Sequence, residues 1–208
     1  MSTEITTELI KQLRDQTGVS VMLCRKALEE AKGDLEKAKV ILQRKGADAA
    51  AKKADRTLGA GTIASYIHFG GTVGVLVELS SETDFVSGNE AFKALAYDIA
   101  MHIAASKPEF VRREDISAET LERAKEVLLK EVEGLPVRGT QTGKPKEMQE
   151  KILEGKLNSY FAEKILLEQP FIKNPDLTVQ GLIASAVQKF GEKIEVTRFA
   201  RFASGNRS

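Results

Sequence analysis

The sequence predicts an α+β protein built from an N-terminal three-helix unit, an Ala- and Lys-rich linker, and a core domain in which helices cover one face of a small antiparallel sheet. Three observations predict it. The first 46 residues carry helix-period apolar stripes punctuated by capping residues and glycines. "TIASYIHF" and "TVGVLVEL" alternate with strand period on either side of Gly70 and Gly71. A series of helical segments then separates that hairpin from a last strand-like stretch, "KIEVTRFARF".

In "TTELIKQLRDQTG", Leu9, Ile10 and Leu13 recur at helical spacing, and Gly18 supplies a left-handed stop. A second helix has Ser20 as N-cap, carries Val21, Cys24, Ala27, Leu28 and Ala31 as one apolar stripe, and ends at Gly33. Asp34 caps a third, "LEKAKVILQRKG", closed by Gly46. Most of these apolar residues read as the unit's own core. Val19, Val21 and Met22, around the first turn, read as an apolar edge. Residues 47–61, "ADAAAKKADRTLGAG", have no apolar face and end in glycines, which makes them a helical or extended linker. The core domain then occupies residues 62–208.

Within it, Gly70 and Gly71 suit a tight hairpin turn that needs positive φ, and Val73, Val75, Val77 and Leu79 face one side of their strand. "EAFKALAYDIAMHIAAS" is a helix with Asn89 at its start, Phe92, Leu95, Ile99 and Ile103 on one face, and Pro108 beyond its end. Further helices are expected at about 118–132, at 145–155 between Pro145 and Gly155, at 157–167, and in "TVQGLIASAVQKFG". No internal repeat is evident.

Composition bounds the function. With 31 basic and 30 acidic residues the net charge is +1, so no global field draws the chain to nucleic acid or membrane, and a partner must be selected by shape. The single Cys24 excludes an intramolecular disulfide and any cysteine-cluster metal site. The N-terminus has no signal-peptide core and no apolar run is long enough to span a bilayer, which makes the cytoplasm the expected compartment.

Catalytic chemistry is hard to assemble from these residues. "GAGTIA", residues 59–64, fits a dinucleotide fingerprint in spelling only, because that motif needs a strand before it and a helix after it. "GTQTGKP", residues 139–145, is one residue short of a phosphate loop and has Pro145 where a magnesium-binding hydroxyl should stand. His68 and His102 each lack a second ligand at metal spacing, and Cys24 lies on an apolar stripe as an inert core thiol. No cofactor is expected. The paired cations, such as Arg25 with Lys26, lack the interleaved aromatics of a base-stacking platform. One stretch stands apart: "SSETDFVSGN" sets Phe85 beside Asp84 in a polar turn, where a large ring either tucks into its own core or is offered to a partner.

Six stretches carry a resemblance, in order and over nearly the whole chain: "TGVSVMLCRKALEEAKGDLEKA" with "RKGADAAAKKADR", "GVLVELSSETDFV", "AMHIAASKPEF", "GKPKEMQEKILEGKL" and "LLEQPFIK". Together they resemble the elongation factor Ts family, the guanine-nucleotide exchange factors of elongation factor Tu. The resemblance implies that residues 1–46 form a domain similar to a ubiquitin-associated unit. It also implies that the chain releases GDP from elongation factor Tu without catalytic chemistry of its own. The turn of Thr83, Asp84, Phe85 and Val86 would reach the partner's magnesium and nucleotide site, with His68 of "SYIHF" lying against the same region. Arg14, Val21 and Met22 would form a second contact, with Val21 standing where the family usually has methionine. The chain is similar to short family members that dimerise, so a homodimer joined across its sheet edges is expected. The competing class is a ubiquitin-binding or RNA-binding helical adaptor, for which "ETDFV" would have no use.

Overall fold

The computed structural model describes residues 5–133 and 146–205. The protein is α+β, with eight α-helices and a small antiparallel sheet among the described residues. The chain forms two compact units, Met1–Ala105 with Pro170–Ser208 and Ser106–Gln169.

The larger unit begins with α1 (Thr7–Thr17), α2 (Val21–Glu30) and α3 (Leu35–Ala51). Thr6, Ser20 and Asp34 cap them, each side chain accepting the N–H of Leu9, Leu23 and Lys37 respectively. Leu13, Cys24, Ala27, Leu28, Ala38 and Leu42 fill the space between the helices. Three local expectations change. Val19 is buried in that core, while Val21 and Met22 alone are exposed. α2 stops at Glu30, before Lys32 and Gly33, which both have positive φ. α3 runs through Gly46 to Ala51, taking in the first part of the expected linker. Gly46 is there for closeness: a Cβ on it would stand 3.1 Å from the carbonyl oxygen of Ala184, in α8 (Val179–Phe190).

The sheet consists of β1 (Ala60–Ile67), β2 (Val73–Ser81) and β5 (Ile194–Ala203), antiparallel, with β2 in the centre. Gly70 and Gly71 both adopt the positive φ that the β1–β2 turn requires, and the His68 N–H donates to the Val73 carbonyl across it. Gly61, half of the spurious dinucleotide motif, is a point of close strand approach, since a Cβ there would lie 3.0 Å from the Leu79 carbonyl oxygen. Strand alternation sends Val75, Val77, Leu79 and Val196 inward. α5 (Glu90–Ser106) and α8 cover that inner face. Phe92 meets Phe190 edge-on, Tyr97 meets Tyr66, and Arg201 donates to the Ala104 carbonyl. The outer face carries Ile63, Ile67, Leu76 and Phe202, all exposed. A short hairpin, β3 (Pro170–Phe171) and β4 (Asn174–Thr178), completes this unit and was not expected from the sequence.

The smaller unit pairs α6 (Ala118–Glu133) with α7 (Lys146–Ala162). α7 is one helix through Gly155, where two had been expected. Val111, Phe161, Ile165 and Leu166 are buried, and Arg113 forks onto both oxygens of Glu168 at 2.6 and 2.8 Å. Pro145 and the "GTQTGKP" stretch lie outside the described residues.

Candidate partner-binding site

The ladder between β2 and β5 ends at the pair Ser81 and Ile194. Beyond it the chain runs extended through Thr83 (φ −127°, ψ 157°) and turns at once into α4 (Asp84–Ser87), a one-turn helix. The turn is closed by the Gly88 N–H donating to the Asp84 carbonyl at 2.8 Å. Successive residues of a helix point about 100° apart, so neighbours here meet opposite environments. Val86 and Ser87 are buried; Asp84 and Phe85 face solvent, the Phe85 side chain being part of a residue 83% exposed. Val86 therefore anchors the turn from inside, and Phe85 is what the turn presents.

The polar residues around Phe85 are its scaffold. The Ser81 hydroxyl donates to the Thr83 carbonyl at 2.9 Å, the Ser87 hydroxyl to the Asp84 carbonyl at 3.2 Å, and the Thr62 hydroxyl to the Ser87 carbonyl at 3.3 Å. Two carboxylates complete it from the β5 side and the β2 side. Glu192 accepts both the N–H and the hydroxyl of Thr83, at 3.0 and 2.6 Å. Glu82 accepts the Lys193 N–H and a guanidinium N–H of Arg56. The Lys193 N–H, with Arg56 beside it, holds the Glu82 carboxyl below the usual carboxylate range. None of Glu192, Glu82, Ser81 or Ser87 carried a local sequence signal for this role. Glu192 in particular comes near Thr83 only because β5 pairs with β2.

His68 lies elsewhere. It follows the last residue of β1, at the end of the sheet where Ile67 pairs with Gly74, whereas α4 follows the end where Ala60 pairs with Ser81. Seven residue steps along β2 separate Gly74 from Ser81, about 24 Å at ~3.4 Å per step. The His68 Nδ1 is 3.1 Å from the Tyr66 hydroxyl, and exposed Phe69 stands next to it. One chain therefore brings Thr83, Asp84, Phe85 and Val86 together and sets His68 apart. Arg14, Val21 and Met22 are exposed on the helical part, Arg14 near the end of α1 and the other two in the first turn of α2.

His102 and Cys24 are both fully buried. The His102 Nδ1 accepts the Ile172 N–H at 3.3 Å, which ties α5 to the loop after β3. Burial pushes the Cys24 thiol up, against the lowering effect of the Thr17 hydroxyl and of Arg14. Among the described residues no group of three or more His, Cys, Asp or Glu side chains is placed to hold a metal ion, and no helix is long and apolar enough to cross a membrane.

A family model described as Elongation factor TS matches residues 36–206. The chain is 50% identical over 201 residues to a protein named Elongation factor Ts from Carboxydothermus hydrogenoformans, an alignment covering 97% of this chain and 89% of that one. A protein of the same name from Desulforamulus reducens is 50% identical over 202 residues, covering 97% and 90%. One from Thermosipho melanesiensis is 47% identical over 201 residues, covering 97% of this chain and 99% of its own length.

Proposed function

The chain belongs to the elongation factor Ts family, a family of translation elongation factors, and on that premise we propose that it binds elongation factor Tu carrying GDP and promotes GDP release. The observation that carries this is Phe85: a large ring 83% exposed, on a helical turn whose next residue is buried and whose backbone is tied down on both sides. A protein that exposes such a ring on a rigid mount gains nothing for its own stability from it.

The mechanism is linkage. An exchange factor speeds release only by binding the nucleotide-free partner more tightly than the GDP-bound one, and GDP must then weaken the factor's binding by the same factor. Each tenfold acceleration needs roughly 1.4 kcal/mol of differential stabilisation at the transition state for release. An aromatic anchor seated in a partner's pocket contributes about 2 to 4 kcal/mol, enough for one to three of those tenfold steps. Phe85 acts as the wedge. Asp84, at its side, competes for the groups that hold the partner's magnesium ion. Arg14, Val21 and Met22 supply a docking contact away from the wedge. No chemical step occurs on this chain.

His68 belongs to the same surface only if two chains cooperate. We infer a homodimer in which they do. A two-fold axis lying between two facing sheets and running across their strands reverses strand direction, and so sets the His68 end of one chain over the Asp84 end of the other. The exposed apolar outer face of Ile63, Ile67, Leu76 and Phe202 is the surface such a dimer would bury. Contact through this face fits the apolar area better than the edge pairing expected from sequence.

Stopped-flow release of fluorescent GDP from elongation factor Tu tests the proposal. The protein is expected to accelerate release, and Phe85→Ala to lose at least tenfold of that acceleration. Unchanged release with Phe85→Ala would sink the wedge.

A further inference from the structure

The carboxylate of Glu192 does something the β2–β5 ladder does not already do. That ladder stops at Ser81 and Ile194. One step further out, Glu82 accepts the Lys193 N–H, which is enough to hold the two strand ends together. Glu192 reaches past this tie and forks onto Thr83, taking its N–H on one oxygen and its hydroxyl on the other. Thr83 is the residue at which the backbone changes from extended to helical, and its side chain makes no capping bond to α4. A Thr in that place ordinarily turns its hydroxyl onto its own helix. Here the hydroxyl is turned away, toward Glu192, so the carboxylate fixes both the backbone direction and the side-chain rotamer at the residue before Asp84.

We propose that Glu192 is a positioning residue for the Asp84–Phe85 turn, acting through Thr83 to hold Phe85 in the direction in which it meets the partner; this rests on the exchange function proposed above. A two-bond fork defines an orientation where a single bond would leave a swivel. An aromatic wedge loses its effect when its mount can rotate, because the ordering must then be supplied at binding. The role assigned to Glu192 is exercised through Thr83.

The test uses the full chain with fluorescent GDP-loaded elongation factor Tu. Glu192→Ala is expected to reduce the acceleration of GDP release about tenfold, and Glu192→Gln, which keeps one accepting oxygen, by less. Thr83→Val, which removes the hydroxyl, is expected to reduce it too. The Glu192→Ala, Thr83→Val double variant should be no worse than the poorer single one, since both remove the same link. Hydrogen exchange is the readout a general structural role would not give: faster amide exchange should be confined to residues 83–88. Wild-type release rates for Glu192→Ala, or multiplicative losses in the double variant, would overturn the proposal. So would faster amide exchange spread along β2 and β5. If the wild-type chain itself failed to release GDP, the exchange function would fall first, and the positioning role with it.

Discussion

Phe85 and Val86 are neighbours with opposite stability consequences. Truncating a buried Val leaves a cavity, so Val86→Ala is expected to cost about 2 kcal/mol, a fall in melting temperature of roughly 4 to 8 °C for a chain of this size. Phe85→Ala, which removes only exposed surface, should melt within about a degree of wild type. Melting both variants checks the assignment directly, and a larger drop for Phe85→Ala than for Val86→Ala would overturn it. Glu82 sets a pH dependence nearby. Its carboxyl is held below its ordinary value of 4.5, first by the Lys193 N–H. A lowered folded-state value means the stabilisation is fully present above about 4.5 and is lost as pH falls through the lower folded value. Melting temperature should therefore fall in that acid window, and Glu82→Gln should flatten part of the fall while leaving behaviour at neutral pH little changed in slope. That Phe85 deserved notice was legible in the sequence, because a ring among Ser, Thr, Asp, Gly and Asn has few local partners. That Glu192 supports it was not, since nothing in "GEKIE" announces a contact made by strand pairing across the fold.

At the scale of elements, caps and periodicity were readable and glycines were ambiguous. Thr6, Ser20 and Asp34 cap because their oxygens meet amides three residues on, a relation written within the local sequence. The hairpin glycines likewise declare a turn. Gly46 does not declare itself, because the same residue that ends a helix also permits two helices to touch, and its partner Ala184 lies in a distant segment. The helix that was expected to close at Gly46 therefore runs on. Gly155 is a different case: it sits within α7 with nothing among the described residues within 4 Å of its missing Cβ, and they give no packing reason for it. The β3–β4 hairpin was missed because strands this short carry no measurable alternation and contain Pro170 and Pro175. Gly46→Val should force α3 and α8 apart at a backbone contact, costing about 1 to 3 kcal/mol as overpacking. Chemical denaturation measures it: an unchanged midpoint would mean that the two helices are not held at this distance in solution.

For the whole molecule, the separation of His68 from Asp84 by the length of β2 makes complementation the decisive experiment. The proposed dimer has a mass near twice 22.8 kDa, measurable by light scattering. In it, each site takes Phe85 from one chain and His68 from the other. Mixing His68→Ala and Phe85→Ala chains at random makes about half the dimers mixed, each with one intact site and one doubly altered. About a quarter of the sites should then recover from two poorly active variants. No recovery after exchange of subunits would show that both residues of a working site come from a single chain, or that the dimer does not form.

The same strand has a mechanical meaning. α4 follows β2 after only Glu82 and Thr83, and β2 is the central strand, hydrogen-bonded along both edges to β1 and β5. Those bonds run across the strand axis. A thrust or pull delivered to Phe85 along β2 is therefore taken in shear by both ladders at once, and no single bond can give way first as it would in unzipping. With Glu192 holding Thr83 at its root, the proposed wedge is the tip of a stiff cantilever whose load passes to two ladders rather than one.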